Sequence, residues 1–405
     1  MIRPAMHRLL FVLAAAAGAC APRPAPVAEP SAHWLGTWAP SQQLVEPRNL
    51  PPAPLAHSTL RQVFRVTLGG PRIRVRLSNR FGDGPMAIGA AVIAHSAGGS
   101  AIEPGSGRPL SFGGADSVTL PAGSEVTSDP LDFSVAPLSA LALTLRIGAA
   151  PAALTGHPGS RTTSYLAAGD HATEPELPGA VTTEHWYVAA GLDVVAEGAA
   201  VVALGNSITD GRGSGTDRDD RWPDNLARRL LADPRTPHVA VLNAGIGGNC
   251  VLKDCLGPAA MARLERDVLG QPGVRWVIVL EGVNDIGGAR EPGAAAGVAQ
   301  GLIAAFRQIV ERAHARGLEV YGGTITPFGG SFYDGPERQA ARDTVNLWIR
   351  TGGAYDAVID FDAAVRDPAD PRRLLPALDT GDHLHPNEAG YRAMADAIDL
   401  ALFTR

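Results

Sequence analysis

Two hydrophobic rhythms divide the chain. From Trp34 to about Ala190 the apolar positions repeat every second residue. Ile73, Val75 and Leu77 alternate with Arg72, Arg74 and Arg76, and Leu141, Leu143, Leu145 and Ile147 alternate with smaller or polar residues. Period two predicts strands with one face buried and one wet. Gly69-Gly70-Pro71, Gly82-Asp83-Gly84-Pro85 and Gly113-Gly114 punctuate them, so this half reads as an antiparallel β-sandwich without helices. Beyond about Ala196 the rhythm changes. Unbroken apolar runs at Val201–Leu204, Val239–Leu242, Val277–Leu280, Val320–Ile325 and Val358–Phe361 alternate with helical stretches near Trp222–Ala232, Pro258–Leu269, Ala294–Arg316, Pro336–Arg350 and Asn387–Phe403. Apolar runs separated by helices predict parallel strands covered on both faces, hence a three-layer α/β/α sandwich. The expected division is a β-sandwich over 34–195 and an α/β domain over 196–405.

The N-terminus follows neither rhythm. Arg3 and Arg8 precede Leu9-Leu10-Phe11-Val12-Leu13 and an alanine run that ends at Ala17-Gly18-Ala19-Cys20. A basic start, a short apolar core and small residues at the end form an export signal over residues 1–20. Cleavage before Cys20 would leave a cysteine for lipid attachment, which resembles a bacterial lipoprotein, although Ala17 stands where such signals usually carry leucine. The proline-rich residues 21–33 then act as an extended tether. The expected location is outside the cytoplasm: periplasmic, lipid-anchored in the outer envelope, or secreted. Export bears on Cys250 and Cys255, because an oxidising compartment permits a disulfide between them. Two cysteines alone are an incomplete metal-ligand set, and neither a metal nor a cofactor is expected. The 405 residues are 19% charged with a formal net charge of −6, which argues against a nucleic-acid partner.

The candidate chemistry gathers where strands of the second half end, the edge at which parallel sheets bind ligands. Gly205-Asn206-Ser207-Ile208-Thr209-Asp210-Gly211 follows the first strand. A serine there serves as a helix N-cap or, with a histidine base and an orienting acid, as a nucleophile. Neither a P-loop ending nor a dinucleotide fingerprint is present. Asn243-Ala244-Gly245-Ile246-Gly247-Gly248-Asn249 follows the second strand and Gly282-Val283-Asn284-Asp285 the third. Glycine N–H groups and an asparagine amide are the donors an oxyanion needs. Asp382-His383-Leu384-His385-Pro386 precedes the last helix. Asp382 and His385 are spaced to face each other, and spacing alone leaves His383 as a rival base.

In order, these four segments resemble the blocks of the SGNH (GDSL-type) hydrolase superfamily, over about half the chain. The resemblance implies Ser207 as nucleophile, His385 as base and Asp382 as its acid. The implied oxyanion hole comprises the Ser207 N–H, Gly248 and Asn284. Asn206 departs from the motif, which has aspartate there, so its hydrogen bonding should be retuned. Asp285 is expected to be a structural acceptor. The first half, through Leu35-Gly36-Thr37-Trp38-Ala39 and Arg76-Leu77-Ser78-Asn79, resembles the β-sandwich that precedes the hydrolase domain in some bacterial members. It is either a glycan-binding module or a packing domain that shapes the active-site rim. Trp34 and Trp38 accordingly stack on sugar or belong to the core. The resulting expectation is an exported serine esterase that removes short acyl groups, acetyl above all, from glycans. The alternatives are a general short-chain acylesterase or lipase, an acyltransferase, and a catalytically silent glycan-binding lipoprotein. Nothing in the sequence sets the oligomeric state.

Overall fold

The computed structural model describes residue 1 and residues 32–404. The export signal, Cys20 and most of the tether lie outside the described residues. Strand structure begins at His33–Trp38, which pairs antiparallel with Ala189–Ala196. The N-terminal half is built of antiparallel sheets, the two largest holding five and eight strands and a small one three. Ile73, Val75 and Leu77 are fully buried, while Arg72 before them is exposed and Arg74 and Arg76 between them are half-buried, as period two requires. Leu141–Ile147 behaves differently. Ala142 and Thr144, on the face expected to be wet, are 0% and 2% exposed. The cause is Arg61 on the adjacent strand, whose guanidinium donates to Thr144 Oγ1 and to the carbonyls of Ser100, Glu174 and Pro175. It thereby holds two loops over that face. One short 3-10 turn, Pro47–Asn49, also interrupts the strand pattern.

Only two residues separate the last sandwich strand from Ala199–Gly205, the first strand of a wholly parallel five-stranded sheet. Ala199–Gly205 is second from one edge, flanked by Val239–Gly245 at that edge and by Val274–Leu280, the middle strand, on the other side. Glu319–Gly323 and Ala357–Ile359 extend the sheet beyond Val274–Leu280. Chain order therefore reverses at Ala199–Gly205, which opens a crevice at its carboxyl end. The long helices form where the apolar period expects them, at Trp222–Ala232, Ala294–His314 and Pro336–Thr351. Two are shorter than expected. The Pro258–Leu269 stretch becomes Ala260–Leu264 followed by a π turn, and the last helix stops at Asp396 before a separate 3-10 turn. Among the described residues no helix is long and apolar enough to cross a membrane.

The β-sandwich closes the open edge of the parallel sheet. Gly36 N–H donates to Pro272 O, and Thr67 Oγ1 both accepts from Val241 N–H and donates to Val241 O. One hydrophobic core runs through both halves. Trp38 belongs to it, stacked on Phe64 at 3.9 Å and edge-on to Trp186. Trp34 instead lies under the guanidinium of Arg74.

Candidate active site

The strand Ala199–Gly205 ends in a turn that the sequence locks locally. Asn206 adopts extended backbone and its side-chain oxygen accepts from Ile208 N–H, capping the four-residue helix Ser207–Asp210. The cap is thus Asn206, which leaves the Ser207 hydroxyl free. The Asn206 amide nitrogen faces Leu280 O and the Glu281 carboxyl. Here the departure from aspartate has its physical reason. Unlike a carboxylate, an amide both accepts from the turn on one side and donates to the buried carboxyl on the other.

Ser207 and His385 are 6% and 5% exposed. Ser207 Oγ lies 2.9 Å from His385 Nε2, and His385 Nδ1 lies 2.7 Å from Asp382 Oδ2. With its Nδ1 proton on the carboxylate, the ring presents a bare Nε2 to the serine hydroxyl. The other Asp382 oxygen accepts from the backbone N–H groups of Leu384 and His385. Burial works to raise the Asp382 carboxyl, but the His385 ring and these N–H donors outweigh it and hold the group well below the usual carboxylate range. His383 is turned away, with Nδ1 on Asp379 and the side chain 46% exposed.

The two turns on the neighbouring strands meet the same crevice, a cavity of about 430 Å³ lined by Ser207, Gly248, Asn284 and His385 among others. Gly248 has φ +70°, and a Cβ there would lie 2.7 Å from Leu256 Cδ1, so the turn demands glycine. Asn284 Nδ2 donates to Asn249 O at 2.7 Å while its Oδ1 accepts from Tyr333 OH. These partners fix which way the amide faces and leave its second N–H unspent for an oxyanion. Asp285 accepts from Val251 and Leu252 N–H. That pins the loop in which Cys250 and Cys255 form a disulfide, Cα–Cα 5.6 Å.

Sequence reasoning missed the residues that hold these turns together. Arg263 is 1% exposed and donates to Gly205 O, Ala244 O, Asn249 Oδ1 and Ser41 Oγ. It also pairs with Asp267 and Glu281. A single guanidinium thus ties the ends of three strands to the sandwich. His157, from the sandwich, donates from Nδ1 to Ser41 O and sets Nε2 2.9 Å from Asp210 in the nucleophile helix. Gly159 two residues on must be glycine, because a Cβ would overlap the Asp210 carboxyl. An isolated arginine in an amphipathic stretch and a histidine in a distant strand carry no local signal. The Gly-Asn-Ser-Ile-Thr-Asp spacing does mark Asp210 as a residue in need of a partner.

Residues 203–393 match the profile of the GDSL-like lipase/acylhydrolase family. The chain carries a domain of that family. Those residues form a GDSL-like acylhydrolase domain, of a kind that acts on ester bonds. Solved structures similar to this chain include an acetylxylan esterase from Geobacillus stearothermophilus, 23% identical over 49% of this chain and 93% of its own, TM-score 0.37. An alpha/beta hydrolase enzyme from the metagenome of Lake Arreo, Spain, is 20% identical with the same coverages and TM-score 0.37. A protein from Desulfitobacterium hafniense, whose description places it among lipolytic proteins of the G-D-S-L family, is 20% identical over 49% of this chain and 96% of its own, TM-score 0.38. No curated protein matches the chain.

Proposed function

We propose that this GDSL hydrolase is an exported esterase that removes short acyl groups, acetyl above all, from glycans through an acyl-Ser207 intermediate. The observation that carries the mechanism is the continuous Ser207–His385–Asp382 relay. His385 takes the serine proton as Oγ attacks the ester carbonyl, and the imidazolium that forms rests against Asp382. The oxyanion is held by the Ser207 and Gly248 N–H groups and the free Asn284 N–H. His385 then returns the proton to the leaving alkoxide. Water repeats the sequence and frees the acid. A glycan is favoured by the lining of the crevice, where the sandwich contributes Gln43, Arg48, Asn49 and His185, groups suited to hydroxyls rather than to a long chain.

Ser207→Ala should lower turnover of a short aryl ester by about a thousandfold or more and abolish labelling by a fluorophosphonate. Unchanged turnover would overturn the mechanism. The second reading, a general short-chain acylesterase, is supported by Leu256 and Phe332, which line the same cavity at 39% and 62% exposed. Release of acetate from acetylated glycans, set against aryl esters of increasing chain length, separates the two.

A further inference from the structure

The cavity wall, built from both halves, is unevenly charged in a way the acyl chemistry does not use. Its acidic members are already committed. The Glu46 carboxylate accepts from Gln43 Nε2 and Asn49 Nδ2, Asp210 faces His157, and Asp382 holds His385. Its guanidinium groups are not. Among the described residues Arg48 and Arg161 have no ion pair, and Arg212 comes only within 4.0 Å of Asp382 while remaining 62% exposed. Arg161 is the more telling of these. Its Nε is buried without a hydrogen-bond partner, and its backbone has φ +53°. Both features are costly for a non-glycine residue, and such strain gathers at ligand clamps.

Position assigns the flank. Tyr391 OH donates to Arg212 O, Arg212 Nε comes within 4.0 Å of Asp382, and the Tyr391 hydroxyl lies in the field of Arg161, Asp210, Asp382 and Arg221. Arg161 and Arg212 therefore stand on the side of the base, and the base hands its proton to the departing alkoxide. The alcohol half of the ester lies on that flank. Leu256 and Tyr333 lie instead beside the oxyanion donors Gly248 and Asn284.

The geometry points to an ester whose alcohol half carries a carboxylate, an acidic sugar held by Arg161 with Arg48 at the mouth of the cavity. This deepens the esterase reading and rests on it. A guanidinium fork suits a planar carboxylate through paired N–H donors, and a charge-assisted bond in a part-buried site is worth on the order of tenfold in kcat/KM.

The test compares mono-acetylated methyl glucuronide with mono-acetylated methyl glucoside and takes the ratio of kcat/KM within each preparation, which makes the result independent of the fraction folded. The wild-type ratio should be on the order of ten or more, carried by KM, and should fall as salt is raised. Arg161→Met should bring it close to one, Arg48→Met part of the way, and Arg161→Lys should retain some preference. A wild-type ratio near one while Ser207→Ala is inactive would overturn this inference and leave the esterase reading intact. An unchanged ratio in Arg161→Met would also overturn it. So would a phosphate-bearing acetyl sugar cleaved better than the glucuronide, since that would reject the carboxylate. Activity retained by Ser207→Ala would instead sink the esterase reading itself.

Discussion

Glu281 sits 1% exposed beneath the nucleophile turn, facing Asn206 on one side and Arg263 on the other. Burial pushes its carboxyl up to about 8 despite the opposing charge of Arg263. Folding therefore raises this pKa from 4.5, so the native state keeps a proton that the unfolded chain gives up. Its contribution to stability is complete below about 4.5 and is lost as pH climbs towards 8. Urea unfolding of Glu281→Gln across that range should give a flatter profile than wild type. Asn206→Asp should have the opposite character. It removes the amide donor and sets a second carboxyl against Glu281, costing about 1–3 kcal/mol, with part of the loss restored in the Asn206→Asp/Glu281→Gln double variant. Asn206 was visible in the sequence as a departure from the aspartate of the motif. The reason for it was not, because Glu281 is reached only across the sheet.

At the scale of elements, the nucleophile and base loops are set by contacts within a few residues, Asn206 on Ile208 and Asp382 on His385, whereas the oxyanion turns are also fixed from other strands. Gly248 turns with a positive φ against Leu256, and Asp285 grips the backbone just past Cys250. Locality explains why the serine turn and the Asp382–His385 pair were legible in the chain; the oxyanion turns were legible from their Gly and Asn residues at strand ends. Gly248→Ala should lower kcat by on the order of a hundredfold with KM little changed, since it strains the turn that presents a donor used only in the transition state. Closing a loop of this length is worth about 2 kcal/mol in the chain-entropy account. Cys250→Ser/Cys255→Ser should accordingly unfold at lower urea than the oxidised wild type, and reductant should move wild type but not the variant. Helix ends were less legible. The π turn at Glu265–Leu269 places Asp267 where both Arg263 and Arg266 reach it, a demand of tertiary packing that the apolar period does not encode.

For the whole molecule, the sandwich is part of the catalytic body rather than a passenger. His157 reaches 53 residues forward to Asp210, and Arg263 reaches back to Ser41. Alternation along strands reveals which residues are buried, not which loops of a sandwich will face a neighbouring sheet, so this half of the cavity stayed hidden in the sequence. His157→Ala leaves the buried Asp210 carboxyl without its imidazole partner and should destabilise the protein by about 1–3 kcal/mol, read as a lower Tm together with reduced turnover at temperatures where the fold persists. A fragment of residues 197–405 should express insoluble or without activity, checked by circular dichroism and an aryl-ester assay. Recovery of a folded, fully active fragment would show the sandwich to be dispensable.

The hydroxyl of Thr67 occupies both the donor and the acceptor of Val241 on the outermost parallel strand. In effect one side chain imitates the next strand of the sheet. It denies that place to an incoming chain, which would otherwise find a ready template for pairing. Thr67→Val keeps the shape and vacates both positions, so its cost should surface less in catalysis than in colloidal behaviour. Concentrated solutions of the variant should build thioflavin-positive aggregates while wild type stays clear.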